Sequence, residues 1–291
     1  MLLRSSSGLG MLSSVRTATT ESSRLPLVAL ITGASSGIGA ASAVRLAREP
    51  GASVVLIARR EERLRELAAS IGEAASWVAA DLLDDEAPAT ILAHVKQRHG
   101  RLDVLVNNAG ASWPASFADG GYESVRRTMA INFDAHVRLT EALLPELRRS
   151  GGAIVNVASL SGRVARATMG AYCASKFALA GWSDSLRCEE RAHGLHVGLV
   201  LPGFIATEGF PQEELLASPL TRWIVSTPAK VAEAICRVGI DRQRERYVPR
   251  PYGVAAVMRM LAPRLVCGAL ERVGDGPGSV SGSLANGAQT P

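Results

Sequence analysis

Six short apolar runs recur along the chain and constrain its fold more than any other feature: LVALIT (27–32), SVVLIA (53–58), WVAA (77–80), DVLV (103–106), AIVNVA (153–158) and HVGLVL (196–201). Longer amphipathic stretches separate them. Ile38 to Arg48 stops at Pro50 and Gly51, Glu61 to Ser70 is heavily charged, and Asp84 to His99 tolerates Pro88 in its first turn. Two helical stretches precede residue 153, the second interrupted by Pro145, and another helix carries Tyr172. Strands that are apolar at nearly every position are buried on both faces, and strict strand–helix alternation lays helices over both faces of a parallel sheet. The expected fold class is therefore α/β, with a single doubly wound domain over about 27–250. Residues 1–26 and 251–291 fall outside it.

The chain has 291 residues, 47% of them hydrophobic, which is ample for one large core. Its net charge of +5 is unevenly spread. Residues 1–26 carry three Arg and one acid, residues 242–291 seven Arg and three acids, and the stretch between them 22 bases against 23 acids. The basic excess belongs to the two ends, so the body offers no cationic face for nucleic acid. Residues 1–26, rich in Ser, Thr, Gly and Arg, read as a disordered or targeting-like tail, either a mitochondrial transit peptide or an extension upstream of the true start. Cys173, Cys188, Cys236 and Cys267 show neither CxxC nor Cys/His spacing, so free thiols in a reducing compartment are expected, with no disulfide framework and no metal site. His193 and His196 flank a glycine at a helix end and read as surface or core residues. The expected location is cytoplasmic, with mitochondrial or peripheral membrane placement left open by the tails.

Candidate chemistry concentrates in AYCASKFALAGWSDSLR. Alanines, Leu179, Trp182 and Leu186 recur at helical spacing, so Tyr172 and Lys176 stand one turn apart on one helix face. An adjacent ammonium favours the phenolate and brings a group that ordinarily titrates near pH ~10 towards proton transfer at neutral pH, as a general acid/base. Ser159 ends AIVNVAS at the carboxyl edge of the sheet, where open α/β folds place ligands, and its hydroxyl can bond a substrate oxygen. Between the first strand and first helix lies TGASSGIG, with Gly33, Gly37 and Gly39. Glycines there let the backbone approach a pyrophosphate, and the helix amino end offers it free N–H groups. The spacing is GxxxGxG rather than GxGxxG, so the dinucleotide fingerprint is met in mechanism but not in letter. NNAG, from Asn107 to Gly110, follows DVLV at the same edge, where Gly110 removes a side chain from a cofactor's path. Asn132, within MAINFDA, reads by itself as a satisfied core amide.

Together these motifs resemble the short-chain dehydrogenase/reductase family. TGASSGIG is similar to its cofactor loop, NNAG to its central-strand motif, and Asn132, Ser159, Tyr172 and Lys176 to its catalytic tetrad. The thirteen-residue step from Ser159 to Tyr172 and the pair Pro202–Gly203 match as well. The resemblance spans about 27–250 and neither tail. It implies a Rossmann-type domain and an oxidoreductase interconverting a carbonyl and an alcohol, the hydride chemistry belonging to a nicotinamide dinucleotide. Carried over by position, Tyr172 exchanges the proton with the substrate oxygen and Ser159 orients and polarises that oxygen. Lys176 lowers the Tyr172 pKa and bonds the nicotinamide ribose, and Asn132 holds a water that links Lys176 to solvent. Cofactor contacts are implied at Gly33, Ser35, Ser36, Gly37, Ile38 and Gly39, at Asp81 and Leu82 by the adenine, and at Asn108, Ala109 and Gly110. Tyr172, Lys176, Pro202, Gly203, Ile205 and Thr207 complete them. A homodimer or homotetramer is implied through the helices over about 131–147 and 172–191. Leu179, Trp182 and Leu186 would lie on that seam unless they face their own sheet.

Where NAD-preferring relatives place an acid after the second strand, this chain has Ala58, followed by Arg59 and Arg60. An acid repels a 2′-phosphate and arginine binds it by charge-assisted hydrogen bonds, so NADP(H) is expected, chiefly on Arg59, with NAD as the alternative. The rival reading is a non-catalytic dinucleotide-binding sensor or scaffold of the same fold, which would be expected to lack part of the tetrad. Substrate walls fall to Ser112, Trp113 and Pro114, to 160–169 and to 204–210. Trp113, Val164, Phe204 and Phe210 are apolar and Arg163 and Arg166 cationic, which suits a moderately lipophilic ketone or secondary alcohol. Past RYVPRPYG, Val254, Val257, Met258 and Leu261 form an apolar stripe beside Arg259 and Arg264. The stripe is too short to span a bilayer and Pro263 interrupts it. A lid over the cleft, a helix docked on a partner subunit and a broken helix on an anionic membrane are the three readings, and burial in protein is expected of such stripes. Gly274 to Pro291 is expected to be disordered.

Overall fold

The computed structural model describes residues 26–208, 215, 217 and 222–274. The N-terminal tail through residue 25, Phe210 and residues 275–291 lie outside the described residues. Seven parallel strands form one sheet in the order β3-β2-β1-β4-β5-β6-β9. They are β1 (Val28–Thr32), β2 (Ser53–Ala58), β3 (Ala75–Ala79), β4 (Val104–Asn107), β5 (Ala153–Val157), β6 (His196–Pro202) and β9 (Glu245–Val248). A short parallel pair, β7 (Phe204–Ile205) and β8 (Val225–Ser226), follows β6. The helices are α1 (Gly37–Leu46), α2 (Glu61–Ile71), α3 (Ala87–Arg98), α4 (Phe117–Met129), α5 (Ala135–Ser150), α6 (Gly170–Glu190), α7 (Pro228–Gly239), α8 (Tyr252–Leu261) and α9 (Pro263–Gly274).

Alternate side chains of each strand point to opposite faces. Ala29, Ile31, Val54 and Leu56 join residues of α1, α2 and α7 in one core, while Val28, Leu30, Val55 and Ile57 join α3, α5 and α6 in the other. Full burial of such an aliphatic side chain contributes about 1.5–3 kcal/mol, which is why the strands read as unbroken apolar runs. The polar exceptions sit near the carboxyl ends and are bonded. Asn107 donates to Thr140 (3.0 Å) and Asn156 (2.8 Å), and Asn156 donates to Ser183 (2.8 Å), tying α5 to α6 across the sheet.

One local expectation changes and two details are added. Pro145 does not interrupt its helix; it lies inside α5 on an exposed face, where the carbonyl it leaves unbonded can meet water. Between α4 and α5 the chain makes a π-helical turn over Ala130–Asp134. Of the two placements open for the stripe on α6, Leu179 and Leu186 take the one inside their own core, while Trp182 is half-buried and meets Phe133 edge to face at 6.1 Å.

β1 is flanked by β2 on one side and β4 on the other. Strand order reverses there, and the loops leaving β1 and β4 diverge to open a crevice at the carboxyl edge.

Candidate active site

The glycine loop is shaped by close approaches that only a missing side chain permits. Gly33 takes a positive φ of 67°, and a Cβ there would lie 2.9 Å from the Asn108 amide nitrogen and 3.0 Å from the Ala109 Cα. A Cβ on Gly39 would sit 2.1 Å from the Gly33 carbonyl oxygen. Thr32 locks the two loops together. Its hydroxyl accepts from the Asn108 and Ala109 amides at 2.9 and 3.0 Å, and the Asn108 side chain donates to its carbonyl at 2.8 Å. The first turn of α1 has neither a side-chain cap from Ser36 nor an acid. Its N–H groups and dipole face the loop, a cradle that fits a pyrophosphate.

At the end of β2, Arg60 rather than Arg59 fronts this loop. Arg60 donates to Ser35 (3.0 and 3.2 Å) and Ser36 (2.8 Å), while Arg59 lies 3.8 Å from Asp81. Asp81 accepts from the Leu83 amide at 3.1 Å and closes the turn after β3. Leu82 is buried beside it. Thr207 approaches Gly37, whose Cβ would be 3.3 Å from its methyl group.

The opposite wall belongs to β4, β5 and α6. A Cβ on Gly110 would meet the Asn132 amide oxygen at 2.8 Å and the Lys176 ammonium at 3.7 Å, so this glycine lets both side chains reach the crevice edge. Asn132 is fully buried in the π-helical turn. Its amide accepts from the Ala111 N–H (2.9 Å) and donates to the Ala111 carbonyl (2.9 Å) and the Ser175 hydroxyl (3.0 Å). Its side chain thus fastens the loop after β4 to α6.

Ser159 leaves β5 and caps the turn Leu160–Gly162, accepting from the Ser161 amide at 3.1 Å. Gly162 brings that turn against α6, where a Cβ would stand 2.6 Å from the Lys176 carbonyl oxygen. The Ser159 hydroxyl donates to the Pro202 carbonyl at 3.4 Å. Burial pushes the Tyr172 phenol above its ordinary pKa, and the nearby Ser159 hydroxyl pulls it back only in part. This is opposite in sign to the lowering by Lys176 expected from the sequence. The Lys176 ammonium lies 5.8 Å from the phenol ring centroid and donates to the Val157 carbonyl at 3.0 Å. Burial pushes its own pKa down to about 8, which weakens the cation on which that expectation relied.

Three further residues shape the site. Thr32 is the polar end of an apolar strand, and Ser175 lies next to Lys176. His136 stands one helical turn beyond Asn132 and donates through Nε2 to the Ala109 carbonyl at 2.8 Å, since that carbonyl can only accept. Burial, with a contribution from the Lys176 charge, holds this imidazole neutral and pushes its pKa down to about 3.

On the substrate side, Ala115 donates to the Thr168 carbonyl at 2.8 Å and joins the 111–116 loop to the 163–169 loop. The Arg127 guanidinium lies over Trp113 at 4.6 Å, and Arg166 over Phe204 at 5.1 Å. Arg163 is taken up by Glu245 (3.0 Å) and Asp184 (3.5 Å), away from the candidate chemistry.

A glycine cradle on one side of a strand-order reversal, facing a half-buried phenol with a buried hydroxyl and ammonium on the other, belongs to the class of dinucleotide-dependent oxidoreductases that act on CH–OH groups. Comparison with known proteins narrows the class. The family model described as short chain dehydrogenase matches residues 27–214. The ketoacyl reductase HetN of Nostoc is 34% identical over 212 residues, which cover 72% of this chain and 73% of that protein. The crystal structure of a short-chain dehydrogenase from Streptomyces avermitilis is 30% identical, covers 87% of this chain and all (100%) of its own, and superposes with a TM-score of 0.72. A 3-ketoacyl-(acyl-carrier-protein) reductase from Brucella melitensis, solved as a complex with NADH, is 28% identical over 74% of this chain and 91% of its own, with a TM-score of 0.69. The chain belongs to the short-chain dehydrogenase/reductase family.

Proposed function

We propose that this chain is an NADP(H)-dependent oxidoreductase interconverting a ketone and a secondary alcohol, with Tyr172 as general acid/base. The observation that carries the reading is the convergence of Tyr172, Ser159, Lys176 and Asn132 beside a cradle that fits a dinucleotide. When bound, the nicotinamide supplies or takes the hydride. The phenol donates a proton to the substrate oxygen during reduction and takes one during oxidation. Ser159, beside the phenol, can bond that oxygen and hold it in line. Lys176 lies close enough to serve both the ribose and the phenol, and Asn132 fixes the loop and helix between which they meet. The cofactor is held by the Gly33–Gly39 loop, by Asn108 to Gly110, and by Asp81 and Leu82. The Pro202–Thr207 segment would hold it from the far side. A 2′-phosphate is received by Arg60 at Ser35 and Ser36, with Arg59 adjacent.

The apolar side chains around the cleft, and the two ketoacyl reductases among similar proteins, favour a moderately lipophilic carbonyl substrate. Assembly as a homodimer or homotetramer through α5 and α6 belongs to the same reading. The scaffold alternative has no observation in its favour, since each tetrad member sits at the crevice edge with its partners.

Two measurements test this. Tyr172→Phe lowers kcat/KM for carbonyl reduction by at least ~10²–10⁴-fold while calorimetric cofactor binding persists, and retained turnover removes the tyrosine assignment. Calorimetry on the unsubstituted protein gives tighter binding of NADPH than of NADH by about tenfold or more, the scale of one charge-assisted hydrogen bond to the phosphate. Equal dissociation constants overturn the preference.

A further inference from the structure

The C-terminal helix pair turns its apolar stripe outward. Val254, Val257, Met258 and Leu261 of α8 are 65, 52, 42 and 77% exposed, and Leu265 of α9 is 72% exposed. Facing the body instead is Ala256, among the smallest side chains available, at 4%. This polarity is the reverse of a helix that covers its own core, and a contiguous apolar face of this kind marks a surface meant for something outside the chain.

The charge around the stripe says what. From Arg246 through Leu270 there is no acidic residue, and Arg246, Arg250, Arg259 and Arg264 all fall in that stretch. Of the acids flanking it in sequence, Glu245 is committed to Arg163 and Glu233 to Arg45 and Arg237, which leaves Asp241 before it and Glu271 after it against the four arginines. Among the described residues none of the four arginines has a carboxylate partner. A second copy docked on this face would bring the same arginines together. Residues 1–25, with three Arg and one acid, carry the same sign. An anionic lipid surface offers the opposite charge and an apolar interior at once. No helix among the described residues is long and apolar enough to cross a bilayer, so the contact would be peripheral.

We propose that α8 and α9 form a docking surface for an anionic membrane, with the outward stripe entering the headgroup boundary and Arg259 and Arg264 engaging lipid phosphates. The anchor lies beside the candidate cleft. Tyr252, the first residue of α8, lies so close over Gly203 that a Cβ there would sit 1.8 Å from its ring, and its hydroxyl donates to the Ile224 carbonyl at 2.8 Å. The start of the helix is therefore packed against the Pro202–Gly203 turn, and docking sets the cleft next to the lipid. The proposal is independent of the reaction assigned above.

The experiment is co-sedimentation of the full chain with sucrose-loaded vesicles of phosphatidylcholine containing 30 mol% phosphatidylserine (about a third anionic lipid) or none. The expected result is binding to the anionic vesicles, at least about tenfold weaker on pure phosphatidylcholine, and loss in high salt. Arg259→Gln with Arg264→Gln weakens it by about 25-fold, or fivefold per arginine, and Val257→Asp with Leu261→Asp abolishes it. Val257, Leu261 and Arg264 are exposed and Arg259 is half-buried, so thermal unfolding is measured on each variant and an unchanged midpoint confirms that it is folded. Absence of binding overturns the proposal. So does binding that survives both double variants, which would assign it to another segment. A fall in particle mass by light scattering in the Val257→Asp/Leu261→Asp variant would make the stripe a subunit interface and overturn it too.

Discussion

Helices α6 and α8 both carry an apolar stripe and both begin at the edge of the candidate cleft, yet Leu179 and Leu186 of α6 are 0 and 7% exposed while the α8 stripe faces water. The difference lies in what each helix is laid upon. α6 follows β5 and crosses over the sheet to β6, so its broad side must cover strands. α8 leaves β9, the last strand of the sheet, and finds no further strand to cover. Amphipathic spacing establishes that a helix has an apolar side, whereas topology decides whether the protein itself occupies that side. The cations follow the same division. Lys176 of α6 is buried against a β5 carbonyl, and Arg259 and Arg264 of the α8–α9 pair have no carboxylate partner among the described residues.

This contrast can be broken by experiment. The largest expected effect is at Leu179, where truncation to Ala lowers unfolding stability by about 2–5 kcal/mol, measured by denaturant titration. A cost below about 1 kcal/mol would mean that α6 is not seated as described. Lys176 gives the next largest effect. Its folded pKa of about 8 lies below the unfolded value, so between pH 8 and 10 the unfolded chain binds the extra proton and stability rises with pH. The rise is about 1.4 kcal/mol per pH unit relative to Lys176→Met, in which it disappears. A variant with the same pH slope as the parent would show that the ammonium is not buried. Smallest is Val257→Ala, expected within about 0.5 kcal/mol because its side chain is already in water. If Val257→Ala instead costs as much as Leu179→Ala, the α8 stripe is covered in solution and the distinction between the helices collapses.

Six strands of the sheet were legible in the sequence because their runs are almost wholly apolar, whereas the edge strand β9 (Glu245–Val248), with the polar and partly exposed sequence ERYV, was not. The glycine loop was legible because Gly33, Gly37 and Gly39 stand at a strand-to-helix turn. What stayed hidden depends on long-range geometry. Whether Arg59 or Arg60 turns toward Ser35 is set by how β2 ends, and the two arginines are indistinguishable as letters. The rise in the Tyr172 pKa comes from burial by loops distant in sequence, whereas spacing reports only the nearby Lys176. Asn132 looked like a core amide and does bond as one, but the π-helical turn that aims it at Ala111 has no marker in MAINFDA. His136 could have been suspected as a histidine on the buried side of an otherwise apolar helix, one turn beyond Asn132. Pro145 misled because proline is a breaker only where the freed carbonyl cannot find water.

The turn over Ala130–Asp134 has a further consequence for how this gene could vary. Its wider winding is a phase shifter between α4 and α5, absorbing one residue more than an α-helix would. Deleting one residue there would restore ordinary α-helical winding and leave α4 and α5 in phase, so Leu139, Leu143 and Leu147 would still face the sheet. What the deletion would lose is the aim of Asn132 at Ala111. The packing of the helix therefore tolerates the loss of one residue and the candidate site does not, so the constraint on length belongs to the site.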